Sequence, residues 1–267
     1  MAIASVTIGK LEYLTADNLS VPHCFTTRLG GVSEGSLSSL NIGTHRDDKA
    51  ENVQKNFAIL GSALGFSTDK LVLSHQTHTD IVRQVGAQEH GAGLTEAELE
   101  PCDGLITNEP GTALVVFSAD CTPILLHDPV TGAVGAVHAG WRGTAAGIGA
   151  KAVEAMCRAY GCKAENIRAA IGPNIGPCCF ETDMDVPKAM LESVGAEAQK
   201  YIYQKGEKYY VNLKEMNALW LRRAGVKSIE ISPDCTACQP ERFWSHRRHG
   251  AGRGAQGAII LCKEAGL

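Results

Sequence analysis

The apolar and polar positions alternate with two distinct periods along the chain. Over residues 47–64, Val53, Phe57, Leu60 and Leu64 recur at i, i+4, i+7 and i+11, one face of an amphipathic helix that Gly65 can end. The same spacing predicts a helix over 144–160, with Ile148, Ala152 and Met156 inward and Gly161 as its stop. Further helices are expected over 186–194 and 213–223, the second burying Leu213, Met216, Leu219 and Trp220. Short β-prone runs predict strands at 23–27, 71–74, 80–85, 104–107, 113–118, 133–139, 167–171, 209–211, 229–231 and 258–261. The uninterrupted apolar runs at 113–118 and 133–139 read as central strands buried on both faces. Segment 120–127 contains Pro123 and ends at the turn Asp128-Pro129, so it reads as a connection. Residues 11–20 carry only a weak pattern, and 33–43 reads as an irregular loop. No repeat and no linker divides the pattern, so one mixed α/β domain over 1–267 is expected.

Composition narrows the class. A chain of 267 residues, 44% hydrophobic and 20% charged, is long enough to bury its own core and is not disordered in character. The longest apolar runs, such as 113–117, are far too short to cross a bilayer, and residues 1–10 lack the basic-then-apolar order of a leader. A cytoplasmic protein is therefore expected, with no membrane partner. A net charge of -4 gives no general attraction to nucleic acid. The 10 cysteines are then expected to be thiols in a reducing compartment.

Three soft or borderline ligands stand at predicted strand ends: His75, Cys121 and His138. Two imidazoles and one thiolate form a tetrahedral face with one open position, which suits zinc. The same Cys121 and His138 also form a nucleophile pair of the cysteine-hydrolase kind, with Asp120 or Asp103 as the orienting group or a proton donor. Two segments look built for anions. One is His138-Ala139-Gly140-Trp141-Arg142-Gly143-Thr144, a strand end, a Gly turn and a helix start. The other is residues 245–254, where Arg247, Arg248 and Arg253 are interleaved with glycines. Cys235-Thr236-Ala237-Cys238 is a lone C-x-x-C without thioredoxin-like surroundings, and Cys178-Cys179 read most simply as free thiols.

The motifs in combination resemble one family. They are His23-Cys24-Phe25-Thr26-Thr27-Arg28-Leu29-Gly30-Gly31-Val32-Ser33, Ser39-Leu40-Asn41-Ile42-Gly43, His75-Gln76, Ser118-Ala119-Asp120-Cys121-Thr122-Pro123 and His138-Ala139-Gly140-Trp141-Arg142-Gly143. Ile171-Gly172-Pro173 with Phe180-Glu181, then Arg247-Arg248-His249-Gly250 with Gly252-Arg253, complete the order. This is similar to the YfiH family, also called the multicopper polyphenol oxidoreductase or laccase-domain family, whose bacterial members are termed peptidoglycan editing factor. The resemblance runs from about residue 22 to 261. It implies a layered α/β sandwich like that of cytotoxic-necrotising-factor-like cysteine hydrolases. It implies a zinc site at His75, Cys121 and His138, and phosphorolysis of adenosine, inosine and methylthioadenosine with adenosine deamination beside it. Departures from the family pattern are Cys24 for Gly, His246 for an aromatic and Thr122 for Leu, which bear on pocket shape.

Three activities compete. A multicopper oxidase needs His-x-His pairs for a trinuclear cluster; this chain has 9 histidines and no such pair. That leaves a single copper in the zinc site as the alternative ion. Phosphorolysis needs a phosphate clamp, for which Arg28, Arg142, Arg247, Arg248 and Arg253 are the candidates, and an acid near the departing purine, for which Asp120 is the candidate. The expected partners are a nucleoside and inorganic phosphate. A cysteine-type hydrolase would instead use Cys121 as nucleophile on a peptidoglycan precursor.

Overall fold

The computed structural model of the chain describes residues 3–263. It opens with β1 (Ile3–Ile8), β2 (Leu11–Ala16) and β3 (His23–Thr26), then α1 (Ala50–Leu64), β4 (Leu71–Leu73), β5 (Val82–Gln84) and β6 (Gly104–Thr107). There follow β7 (Ala113–Ser118), β8 (Thr122–His127), β9 (Val134–Ala139), α2 (Trp141–Ala145), α3 (Ile148–Tyr160) and β10 (Arg168–Ile171). The remainder is β11 (Glu181–Thr182), α4 (Asp185–Val194), β12 (Ile202–Lys205), β13 (Lys208–Val211), α5 (Leu213–Arg223), β14 (Ser228–Ile231), α6 (His246–His249) and β15 (Gln256–Leu261).

Two six-stranded sheets, ordered β1-β2-β3-β15-β7-β4 and β14-β10-β8-β9-β6-β5, lie face to face. Strand alternation builds the layers. Leu114, Val116, Ala258 and Ile260 of the first sheet meet Leu105, Leu125, Val134 and Ala170 of the second. Their neighbours Ala113, Val115, Ile259 and Leu261 face the other way, onto Val53, Phe57 and Leu60 of α1. On the far side, Ile106, Ile124, Leu126 and Val137 are covered by Ile148, Ala152 and Met156 of α3 and by Ala218 and Leu221 of α5. The result is a helix–sheet–sheet–helix sandwich: the mixed α/β domain expected from the pattern, in the layered form that the family resemblance implies. A small sheet, β11-β13-β12, joins α4 and α5 in a separate apolar cluster. No helix among the described residues is long and apolar enough to cross a membrane.

Four local outcomes differ from the pattern reading. The hairpin β1–β2 escaped it because β1 is an edge strand with most of its side chains outward. Segment Thr122–His127 is a fully buried central strand despite Pro123. The proline stands at its second position, where the chain enters the sheet, and its carbonyl still accepts from the Gly172 N–H at 2.9 Å. The helix expected over 144–160 is two helices, α2 and α3, broken at Gly147 with φ 71°. The exposed strand β12 carries almost no apolar signal.

The site is placed by one topological step. Strand β7 belongs to the first sheet and β8 to the second, so residues Ala119, Asp120 and Cys121 carry the chain across the seam between them. Asp120 makes the step with φ 87°, a left-handed conformation that Asp tolerates better than most residues.

Candidate metal centre

His138 is the penultimate residue of β9, and Cys121 lies just before β8, whose Pro123 is paired with His138. The third member is His78, in the loop after β4. The ligand atoms of His78, Cys121 and His138 all lie within 4.8 Å of one another. His78 Nε2 is 3.9 Å from Cys121 Sγ, and the two imidazoles meet edge to face with centroids 5.1 Å apart. Gly140 leaves the room: a Cβ there would come within 2.8 Å of His78 Cδ2 and 3.4 Å of Cys121 Sγ.

A buried carboxylate holds both histidines. Asp103 is 0% exposed and its Oδ1 accepts from His138 Nδ1 at 2.7 Å. It also accepts the backbone N–H groups of Thr77, His78 and Thr79 at 3.2, 3.1 and 2.7 Å, and the Thr79 hydroxyl at 2.7 Å. The 77–79 loop is thus wrapped around Asp103, which explains how His78 is held at φ 62°. With Nδ1–H committed to Asp103, His138 has Nε2 free as a ligand, the usual carboxylate–histidine arrangement behind a bound metal. Gln76 ties the same loop to β7, its Oε1 accepting from Phe117 N at 2.6 Å and its Nε2 donating to Phe117 O at 2.9 Å.

The charges follow from these contacts. Burial pushes the Cys121 thiol up, but His138 and His78 beside it outweigh burial and hold it down at about 6. Burial pulls His138 down, while the Cys121 thiolate and Asp103 together raise it to about 9. Burial raises Asp103, while its bonds from His138 and Thr79 bring it to about 2. Without metal the pair is a thiolate beside an imidazolium. A thiolate and two neutral imidazoles at this spacing are the donor set of a zinc site with one open position. The residues present therefore fit the ion.

Several expectations are corrected by position. His75 is not part of the ligand group: its Nδ1 donates to Leu99 O at 2.9 Å, and the ligand position falls three residues later. Asp120 is engaged as an acceptor at both oxygens. Its Oδ1 accepts from Thr236 Oγ1 at 2.6 Å and its Oδ2 from Arg247 N at 2.7 Å, so the carboxylate braces the seam against two loops. Arg28 lies 3.8 Å over the Trp244 ring and donates to the carbonyls of Ser38 and Pro240, which makes it a structural staple. Arg142 points away, exposed, over Trp141 at 4.3 Å. Arg248 is exposed and touches neither cavity described next.

Two cavities, of about 320 and 280 Å³, meet at the centre and share His78, Ala119, Cys121 and Arg253. The larger carries His45, Arg46, His75, Gln76, Glu98 and Ser118 on its wall beside Leu73 and Phe117. The smaller is lined by Trp141, Ile175, Phe180 and Leu213 together with His246 and Arg247. Arg253 stands between them. Its Nη1 donates to Gly254 O at 3.0 Å, but its buried Nε has no partner. Burial pulls this guanidinium down to about 10, still charged at neutral pH. Arg46 was missed in the sequence because nothing local marks it, and Trp141 and Phe180 were read only as members of motifs; fold topology brings all three to the cavities. His78 was missed as well; its one local signal is the turn that carries it two residues after Gln76.

Residues 22–263 match the family described as multi-copper polyphenol oxidoreductase laccase. The chain is 36% identical over 256 residues to "Purine nucleoside phosphorylase YlmD" of Bacillus subtilis, covering 93% of this chain and 91% of that one. It is 34% identical to "Purine nucleoside phosphorylase LACC1" of Mus musculus, covering 91% of this chain and 56% of the mouse protein, so it spans little more than half of that relative. The crystal structure of Bacillus licheniformis hypothetical protein YfiH superposes with a TM-score of 0.92 at 34% identity, over 97% of this chain and 99% of that one. By sequence and by architecture, this chain belongs to the YfiH family of laccase-domain proteins.

Proposed function

We propose that the chain is a metal-dependent purine nucleoside phosphorylase, with zinc held by His78, Cys121 and His138 and copper as the alternative ion. The observation that carries this reading is Arg253, a half-buried cation that lines both cavities beside the His/Cys/His group. A guanidinium at such a junction is suited to an anion, and phosphate offers a matching edge of oxygens. The relatives named purine nucleoside phosphorylase support the same chemistry.

Phosphorolysis breaks the C1′–N9 bond of the nucleoside. A phosphate oxygen bonds to C1′, the bond pair leaves with the purine, and the purine takes up a proton. Arg253, with Arg46 or Arg247 on either side, gathers phosphate and offsets its charge on entry. Trp141 and Phe180 give the flat base an apolar wall. His75, held through Nδ1 by the Leu99 carbonyl, has Nε2 left to carry a proton to the departing base. Asp103 keeps the two histidine ligands oriented. When bound, the ion supplies Lewis acidity at its fourth position, which also suits deamination of adenosine. Inosine and methylthioadenosine are the further substrates of this reading.

One observation favours a second reading. Cys121, His138 and Asp103 form a thiolate–imidazole–carboxylate chain, the arrangement of a cysteine nucleophile with its base and orienting group. In that case a peptidoglycan precursor is cleaved. A panel of adenosine, inosine, methylthioadenosine and muropeptides, each with and without phosphate, tests the two. Phosphate-dependent release of purine base supports phosphorolysis, and muropeptide cleavage alone replaces it.

A further inference from the structure

Cys178 and Cys179 lie in the turn that follows Gly172–Pro177, and Cys235 and Cys238 lie in the loop after β14. The fold brings the two pairs together: all four Sγ atoms are within 4.8 Å of one another. Cys238 Sγ is 3.5 Å from Cys178 Sγ and 3.4 Å from Cys179 Sγ. We propose that Cys178, Cys179, Cys235 and Cys238 form a second metal site, a closed four-thiolate zinc centre that ties these two loops together.

The geometry argues for one ion. Four sulfurs around a zinc at about 2.3 Å define a tetrahedron with edges of about 3.8 Å. The two Cys238 separations fall a little below that edge, and no pair of the four exceeds 4.8 Å. They are far longer than the roughly 2.05 Å of a disulfide, and all ten cysteines are free thiols here. They are too short for the wider spread of sulfurs around an iron–sulfur cluster. All-thiolate donor sets select soft and borderline ions over calcium, magnesium or manganese. Four thiols this close repel one another when ionised, and a divalent cation removes that cost.

The surroundings are organised for thiolate. The Gly176 N–H donates to Cys235 Sγ at 3.1 Å, the kind of outer bond that supports a metal-bound sulfur. A Cβ on Gly176 would press to 3.3 Å from Cys178 Sγ and 3.5 Å from Cys235 Sγ. The frame is set by backbone alone. Asn174 and Cys235 form a parallel bridge, Thr236 N donates to Asn174 O at 3.0 Å, and Cys238 N donates to Cys235 O at 3.2 Å. A closed site of this kind is structural. The loops it joins carry Thr236, which holds Asp120, and the Cys179 carbonyl, which accepts from Arg247 Nη1 at 3.1 Å. The centre therefore fixes one wall of the smaller cavity from behind. It shares no residue with the His78/Cys121/His138 group and does not depend on what that group does.

The test is zinc stoichiometry on the full chain, purified under reducing conditions. Wild type should hold two zinc ions per chain, Cys121→Ser one, Cys238→Ser one and the double variant none. Cys238 is exposed, so serine there leaves the core untouched. Cobalt substitution of the Cys121→Ser protein keeps the test open if Cys238→Ser fails to fold, because Cys121→Ser leaves the cluster intact. That protein should show the intense visible absorption of tetrahedral thiolate cobalt. One ion in wild type that is lost from Cys238→Ser but kept in Cys121→Ser supports the four-cysteine centre and removes the other. Zinc content unchanged by Cys238→Ser, no thiolate–cobalt spectrum, or a mass loss marking a disulfide among the four overturns the proposal.

Discussion

Asp103 Oδ1 stands 2.7 Å from His138 Nδ1, and the same carboxylate takes the N–H of His78 at 3.1 Å. One buried side chain thus sets the ring of one histidine and the backbone of another, from two different elements. It is the reason that a loop residue after β4 meets a residue of β9 at a fixed distance.

Asp103→Asn should therefore weaken metal binding without touching a ligand. The amide can present its N–H where His138 needs an acceptor, freeing that ring to rotate. Zinc affinity, measured by competition with a chelator, should fall roughly 10–100-fold. An affinity equal to that of wild type would show that Asp103 does not orient the site.

Gly140→Ala should act on the same ligands sterically. Gly140 has φ -65° and ψ 174°, a conformation any residue adopts, so the backbone allows the change. The new methyl would meet His78 Cδ2 at 2.8 Å and displace the ring. Zinc should bind at least several-fold more weakly while the melting temperature of the metal-free chain stays close to wild type. A large drop in that temperature with zinc affinity intact contradicts this.

The arginines separate cleanly. Arg253→Lys removes the planar fork and the buried Nε, so the KM for phosphate should rise about tenfold or more with a smaller change for the nucleoside. Arg142→Lys should leave both unchanged, because Arg142 is exposed over Trp141 and lines neither cavity. Equal effects of the two substitutions would place the phosphate elsewhere.

Stability should depend on pH through His127, far from the centre. This ring, 3% exposed in β8, is pulled down to about 4 by burial and by the charge of Arg168. Its folded value lies below its unfolded one, so the unfolded chain takes the proton first as pH falls. The stabilisation is complete above about pH 6.5 and is lost on descent to about 4, on the order of 3 kcal/mol. His127→Phe should flatten this part of the urea-unfolding profile, leaving the share of His23, also buried and lowered. A slope identical to wild type between pH 6.5 and 4 would contradict the assignment.

The sequence carried the layers more clearly than the site. The period of α1, α3 and α5 and the double-faced runs of β7 and β9 were legible because burial on one or two faces writes itself into residue type. Edge strands β1 and β12 bury little and leave little trace. Cys121 and His138 were visible as soft ligands at strand ends, and Asp103 only as one of two candidate orienting groups beside Asp120. The choice between His75 and His78 was not, because it depends on a loop wound around a carboxylate some 25 residues away in sequence. Arg253 was legible only as one of several arginines; its place on the wall of both cavities singles it out. The four-cysteine cluster was hidden for the same reason, since each pair alone is weak and only the fold joins them.

The most direct test of the central claim is a phosphate titration. Zinc-loaded wild type is given adenosine, and adenine and ribose 1-phosphate are both quantified as inorganic phosphate is raised from zero. Phosphorolysis at this site predicts equal amounts of the two products, none without phosphate, and loss of both in Cys121→Ser. Adenine released equally well without phosphate, or no adenine from the zinc-loaded chain at any phosphate concentration, would contradict the account.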